Sequence, residues 1–266
     1  MQAPIVLALD TSSALTSVAV TSDRIVSEQS HVDARGHAEV LIPMVRTVIA
    51  AAGIAHPHVI ACGVGPGPYT GLRVGIATAR ALALSWSIPV VGVCSLDAVA
   101  WAVLATEAQE QLGVAMDARR REIYWATYDS TGERTAGPGV CRPNDLPTHN
   151  VNNVHDLEVT WVGSGVGGLS AESRVLEPQP WGTLGLPGLA GAMGLRVQSA
   201  LNALKSGASL IDGIESGSAG PSFKSHAWLA DHGSDSGATA QALAGQVLLR
   251  PEPLYLRLPD AVAGHA

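Results

Sequence analysis

The stretch GVGPGPYTGLRVGIATARALAL, Gly63 to Leu84, leaves a chain few ways to fold. Gly63, Gly65 and Gly67 alternate with Val64, Pro66 and Pro68, which makes a stiff loop that other backbone can approach closely. A helix follows, from about Gly71 to Ser87, in which Gly75, Ala79 and Ala83 repeat every four residues. Leu72, Ile76, Ala77, Ala81 and Leu84 make nearly every other face apolar as well. A helix that is apolar all round must be covered on both sides. Its own sheet accounts for one side, and a second helix lying close against small residues accounts for the other. That second helix belongs either to the same chain or to a partner. The loop is either a rigid strand-to-helix turn or an anion site, with Thr70 as N-cap leaving a positive helix end nearby. It lacks the lysine of a P-loop.

The flanking segments place this unit in an α/β order. IVLALD (Ile5–Asp10) and VIACGV (Val59–Val64) are short buried-strand patterns, and LTSVAVT (Leu15–Thr21) and RIVSEQS (Arg24–Ser30) continue the first as a hairpin. In HAEVLIPMVRTVIAAAG, Leu41, Val45, Val48, Ile49 and Ala52 recur at helical spacing and Gly53 supplies the stop. Pro43, early in that helix, is a point at which it can kink or shorten. IPVVGV (Ile88–Val93) reads as a strand, and a helix runs from Leu96 to about Ala108. The order β-β-β-α-β-α-β-α over residues 1–108 is that of ribonuclease-H-like folds and of each half of the actin-like ATPases. QLGVAMD, EIYWATYD and VTWVGSG restart the pattern more weakly over 109–266. The expected architecture is α/β, with two actin-like (ASKHA, ribonuclease-H-like) subdomains of mixed sheets and flanking helices. Residues 207–240, rich in Gly, Ser, Ala and Asp, read as a low-complexity insert, and PEPLYLRLPDAV as an extended segment pinned against the body.

Composition narrows the function. The chain has 266 residues, a formal net charge of -7 and only 15% charged residues, which disfavours unaided nucleic-acid binding. Cys62, Cys94 and Cys141 form no C-x-x-C pair, and Cys62 and Cys94 sit in apolar runs as small buried hydrophobes. A reduced, cytoplasmic protein is expected. The start MQAPIVLALD has no basic region before its apolar run, so neither a signal peptide nor a membrane span is expected.

Three further places carry possible chemistry. Asp10, Thr11 and Ser12 occupy the hairpin turn where actin-like ATPases hold phosphate, but the turn lacks the usual glycine. An ordinary turn with local side-chain bonds is the alternative. Arg119, Arg120 and Arg121 form a basic turn after Asp117, either a solvated hairpin tip or a contact with a partner or tRNA phosphate. The nine histidines show no i,i+4 pair on a helix and no carboxylate cluster beside them, so no metal site is expected.

Taken in order, LALDTSS, HAEVLIPMV, GVGPGPYTGLRVGIATARALA, MDARRREIYWATY and PLYLRLPDA resemble the TsaB (YeaZ) family of tRNA threonylcarbamoyladenosine synthesis. The resemblance covers about residues 4–130 and the last ~20, and not 180–240. It implies a non-catalytic relative of TsaD, the subunit that transfers the threonylcarbamoyl group to the adenosine beside the anticodon. The tRNAs concerned read codons that begin with A. It implies a heterodimer with a TsaD-type subunit, a TsaE-type ATPase in a larger complex, a homodimer when alone, and tRNA only through the complex. No cofactor is implied. The docking surface would lie on the first subdomain's two helices: Val40, Leu41, Met44, Val45, Val48, Leu72, Gly75, Ile76, Ala79 and Ala83. The Asp10, Thr11 and Ser12 turn would be a vestigial phosphate loop. TsaD-type proteins carry a metal-binding H-x-x-x-H after the corresponding strand, and here Ser95 and Val99 stand at those positions. Neither side chain replaces imidazole as a ligand. From another class, an actin-like small-molecule kinase or ATPase remains the alternative, with GSGVGG (Gly163–Gly168) its only second glycine motif.

Overall fold

The structure, a computed structural model, describes residues 3–33, 35–146, 159–169, 174–175, 189–205 and 251–256. The low-complexity segment 207–240 lies outside them. The first half begins with a meander, β1 (Val6–Asp10), β2 (Leu15–Thr21) and β3 (Ile25–Val32). It continues through α1 (His37–Ala52), β4 (Val59–Gly65), α2 (Tyr69–Trp86), β5 (Val90–Cys94) and α3 (Ser95–Leu104). The second half gives β6 (Gln111–Asp117), β7 (Ile123–Asp129), β8 (Arg134–Cys141), β9 (Thr160–Val162), β10 (Arg174–Val175) and α4 (Leu189–Lys205).

The strands make two sheets, ordered β3-β2-β1-β4-β5 and β10-β9-β6-β7-β8. In each, three antiparallel strands are followed by two parallel ones, so the expected duplication is present strand for strand. β1 and β4 are buried along their whole length because helices cover both faces of the first sheet. Leu7, Leu9, Val18 and Val20 face α1 and α2, while Val6, Ala8 and Ala19 face α3 and α4. This is why both strands read as unbroken apolar runs instead of alternating.

α3 lies between the sheets. Leu96, Val99, Ala100 and Val103 pack with Leu112, Val114, Tyr124 and Tyr128 of the second sheet, and Ala98, Trp101 and Ala102 pack against the first. Its Asp97 is buried and accepts two bonds from Arg134, Nε at 3.0 Å and Nη2 at 2.6 Å, and one from the Tyr128 hydroxyl at 2.8 Å. Burial and the Asp97 charge push the Tyr128 hydroxyl well above its usual range. Trp101 Nε1 donates to Gly132 O at 3.1 Å. α4 comes from the second half of the sequence yet packs on the first sheet, where Ser17 Oγ accepts from Ala190 N and Glu28 Oε1 from Gly191 N. These two acceptors satisfy N–H groups of the helix's first turn.

Three local expectations differ from the structure. α1 runs unbroken through Pro43, which lies in its first two turns and presents its ring to solvent. α2 begins at Tyr69 behind Pro68, so Thr70 is inside the helix and is not its N-cap. α3 ends at Leu104, one turn short of Ala108, because Ala105–Ala108 have left the zone between the sheets and are exposed or nearly so.

Asp97→Ala removes the two bonds that its carboxylate accepts from Arg134 and the one from the Tyr128 hydroxyl. Urea unfolding should show a loss of about 3–5 kcal/mol. The pair Asp97→Leu with Arg134→Met should lose clearly less, since no charge is then stranded.

Candidate functional site

The turn between β1 and β2 is held by several buried hydrogen bonds. Asp10 is fully buried. Its Oδ1 accepts from Ser12 N at 2.8 Å and Ser12 Oγ at 2.7 Å, and its Oδ2 from Ser95 Oγ at 2.6 Å. Ser95 Oγ in turn accepts from Gly65 N at 3.2 Å, and Thr11 Oγ1 donates to Gly71 O at 2.7 Å. The three residues expected as a vestigial phosphate loop therefore face their own chain. A phosphate loop offers its hydroxyls and N–H groups outward; here the hydroxyls of Thr11, Ser12 and Ser95 are donated inward.

The glycine loop and helix are what they face. A Cβ at Gly67 would collide with Ser12 O, one at Gly71 with Thr11 O, and one at Gly75 with Thr11 Oγ1. The four-residue glycine spacing is thus satisfied inside this chain, by the backbone and side chain of one turn. Gly65 adds a left-handed φ of 96°, which a residue with a side chain would hold only under strain.

The expected docking residues lie mostly inside the chain. Leu41, Met44, Val45, Val48, Leu72, Gly75, Ile76, Ala79 and Ala83 are all buried within the chain, and only Val40 is partly exposed. They clamp α1 and α2 to the first sheet against Leu7, Leu9, Ile60 and Cys62. The face that α2 leaves to solvent is the opposite one: Arg73, Ala77, Arg80, Ala81 and Leu84, the last 80% exposed. Periodicity showed that two faces of α2 were apolar but not which of them met the sheet. Ala77, Ala81 and Leu84 are legible in the sequence as apolar positions, but their exposure follows from the sheet that covers the Gly75–Ala79–Ala83 side.

Several neighbouring groups were not foreseen. Tyr255 stacks on Tyr69 with centroids 4.9 Å apart, and the Arg73 guanidinium sits 3.8 Å from the Tyr69 centroid. Leu254 N donates to Val64 O at 2.7 Å, so the segment 251–256 is pinned across the end of β4, as PEPLYLRLPDAV suggested. His37 is buried at the start of α1, its Nδ1 2.7 Å from Thr16 Oγ1. Burial lowers its pKa, against the opposing pull of Asp10 and Asp33. Cys62 and Cys94 are buried, and burial first, then the charges of Asp10 and Asp97 respectively, raises their thiols, Cys94 to about 12. Neither is a nucleophile at neutral pH. Val99 packs in the core between the sheets, and Ser95 is spent on Asp10.

At the far end of the second sheet, Arg119, Arg120 and Arg121 adopt φ of 61°, 55° and 63° in succession. Left-handed backbone costs a residue other than glycine roughly 1–2 kcal/mol. The turn is closed by Ala118 N to Glu122 O at 2.9 Å and Glu122 N to Arg119 O at 3.0 Å. GSGVGG makes a turn beside it, Gly165 N donating to Ala115 O at 2.9 Å and Ser164 Oγ accepting from Asp117 N at 3.1 Å.

With this geometry, comparison with known proteins is informative. Residues 24–159 match the family model described as TsaD: tRNA N6-adenosine threonylcarbamoyltransferase. The tRNA threonylcarbamoyladenosine biosynthesis protein TsaB of Escherichia coli (strain K12) is 34% identical over 170 residues, 61% of this chain and 71% of that protein. The chain belongs to the TsaB family. An uncharacterized protein of Mycobacterium leprae (strain TN) is 42% identical over 149 residues, which span 53% of this chain and 40% of that longer protein. The solved structure of YeaZ from Pseudomonas aeruginosa superposes with a TM-score of 0.61 at 29% identity, covering 77% of this chain and 93% of that one. A second Pseudomonas aeruginosa structure, described as similar to peptidase YEAZ, gives 0.64 at 28% identity, covering 83% and 99%. The family's fold, two actin-like subdomains of mixed sheet and flanking helices, is the fold described above. Among the described residues no three His, Cys, Asp or Glu side chains group as a metal site, and no helix is long and apolar enough to cross a membrane.

Gly75→Ala should lower stability by about 1–3 kcal/mol in chemical denaturation, because the new methyl group meets Thr11. Ala77→Ser on the outer face of the same helix should change it little. A second expectation concerns pH. His37 holds its proton less tightly folded than at the unfolded value of 6.5. Its contribution is therefore complete above that pH and is lost as pH falls from there through the lowered folded value. The unfolding midpoint of the unaltered protein should drop between about pH 7.5 and pH 5 more steeply than that of His37→Gln.

Proposed function

We propose that the chain is a non-catalytic partner subunit that activates a TsaD-type threonylcarbamoyltransferase. It works in the cytoplasm on the modification of tRNAs that read codons beginning with A. A TsaE-type ATPase joins the pair in a larger complex, tRNA is engaged through the complex, and the chain forms a homodimer when alone. The reading rests on family membership and on one observation above others: the outward face of α2. Ala77, Ala81 and Leu84 lie one helical turn apart on that face and are exposed, with Arg73 and Arg80 along one edge of it. Small residues let a second helix approach closely, and a leucine 80% exposed on such a face is surface that a partner covers. The same surface serves the homodimer and the heterodimer, so the two assemblies compete. The docking surface proposed is this outer face; of the residues expected from sequence, only Val40, on α1, is partly exposed.

The state of the Asp10 turn supports the non-catalytic half of the reading. Its hydroxyls are donated to Asp10 and Gly71 O, and the glycine loop packs directly on it. Opening it to a nucleotide phosphate would strand the buried Asp10 carboxylate. That geometry disfavours the kinase or ATPase reading.

Light scattering on eluting peaks tests the proposal, with this chain alone and mixed with its cognate TsaD-type subunit. A homodimer that converts to a mixed complex is expected. Ala77→Arg with Leu84→Asp should weaken pairing at least a hundredfold while the unfolding midpoint stays at the unaltered value. Pairing that survives both charges would move the interface elsewhere. A chain that ignores the TsaD-type subunit would overturn the reading.

A further inference from the structure

The tip of the second sheet departs from the rest of the molecule in charge and in backbone. The chain as a whole is acidic, at -7. At this tip Arg119, Arg120 and Arg121 follow one another, all exposed. The register that pairs Ile123 with Cys141 brings a fourth exposed arginine, Arg142, to the same end of the sheet. Asp117, Glu122 and Asp145 lie nearby, but Asp117 is already engaged: its Oδ1 accepts from Arg119 N at 2.8 Å and its Oδ2 pairs with Arg119 Nη1 at 3.5 Å. Arg120 also has contacts within the chain. Arg121 has no ion-pair partner among the described residues.

Backbone geometry sharpens the point. Left-handed conformation is ordinary for one glycine or asparagine in a turn, and uncommon for three successive residues with long side chains. Glycine at these positions would relieve the backbone, and the turn carries arginine at all three. Strain kept in place by surrounding bonds is a mark of function. The closing bonds between Ala118 and Glu122 and the neighbouring Ser164–Asp117 bond hold the turn from both sides. Three arginines on successive exposed residues, with Arg142 at the same end of the sheet, spread positive charge over the whole tip. Several guanidinium groups carried on one backbone-bonded turn suit a polymer with repeated phosphates, since each group binds phosphate in a planar, two-pronged way.

We propose that the Arg119–Arg121 turn, with Arg142 beside it, is a contact element for the sugar-phosphate backbone of RNA presented to the assembled complex. The inference rests on the reading of this chain as a partner subunit in tRNA modification, and adds a direct RNA contact to it. The contact fixes the position of the RNA and reads no sequence. It is too small a basic surface to hold RNA alone, in keeping with the acidic balance of the chain.

The test uses the full chain in complex with its cognate TsaD-type subunit, and as probe an unmodified transcript of a tRNA that reads codons beginning with A. Two triple variants are compared with the unaltered chain, Arg119→Gly/Arg120→Gly/Arg121→Gly and Arg119→Lys/Arg120→Lys/Arg121→Lys. Pairing is measured separately by light scattering. The glycine variant should pair normally and unfold at the same or a higher temperature. It should bind the transcript about tenfold or more weakly near 0.1 M salt, with the slope of log affinity against log salt reduced by about 2. The lysine variant should keep most of the slope. Equal affinity and slope for the glycine variant would overturn the inference and leave the partner-subunit reading intact. A lysine variant whose salt slope falls as far as the glycine variant's, although its three charges remain, would overturn the phosphate contact. Failure of the unaltered chain to pair would overturn both.

Discussion

A buried carboxylate holds the first half of this protein in place. Asp10 ends the central strand, is shut off from water, and takes hydrogen bonds from the hydroxyls of Ser12 and Ser95 and from Ser12 N. Ser95 begins α3 and also accepts from Gly65 N, so one side chain joins the hairpin turn, the glycine loop and the helix between the sheets. A charge in such a place must have its bonds met, because a buried acceptor without donors destabilises by several times what a satisfied one contributes. The glycines follow from that constraint. Only residues without a Cβ let the loop and the start of α2 lie flat against Thr11 and Ser12.

From this fixed point the chain builds outward in both directions. α1 and α2 close one face of the first sheet, and α3 and α4 the other. α3 then carries the second sheet, through Leu96, Val99 and Val103 and through the Asp97 pair with Arg134. The two halves of the sequence are therefore not two separate bodies. α4 and the 251–256 segment come from the second half and pack on the first, the former capped by Ser17 and Glu28 and the latter bonded to Val64.

The functional reading depends on the same arrangement. In an actin-like fold the first hairpin turn is where a phosphate would sit, and here its own glycine loop and hydroxyls fill that place. What remains available is surface: the outer face of α2, and the arginine turn at the far end of the second sheet. One is apolar and flanked by arginines, as suits a protein partner. The other is charged and rigid. The TsaB family belongs to tRNA threonylcarbamoyladenosine biosynthesis, and the partner-subunit role proposed for this chain needs surface features of this kind.

The sequence by itself determined the strand and helix order of residues 1–108, three strands of the second half, the family and the stop of α1 at Gly53, because these depend on local pattern: apolar runs, helical spacing and turn residues; β8, β10 and α4 came only with the structure. It showed that Gly75, Ala79 and Ala83 had to lie against something close. Only the tertiary structure decided what that was. A period of four names a face of a helix, but not the object the face meets, and Thr11 lies sixty-odd residues earlier in the chain. The same holds for Asp97 with Arg134, for Tyr69 with Tyr255, and for the capping of α4 by Ser17: each joins residues far apart in sequence, and no local pattern carries that information. For the same reason the residues expected at the docking surface lie mostly on the buried side of their helices, and only the packing of the sheet shows that Ala77, Ala81 and Leu84 form the exposed side.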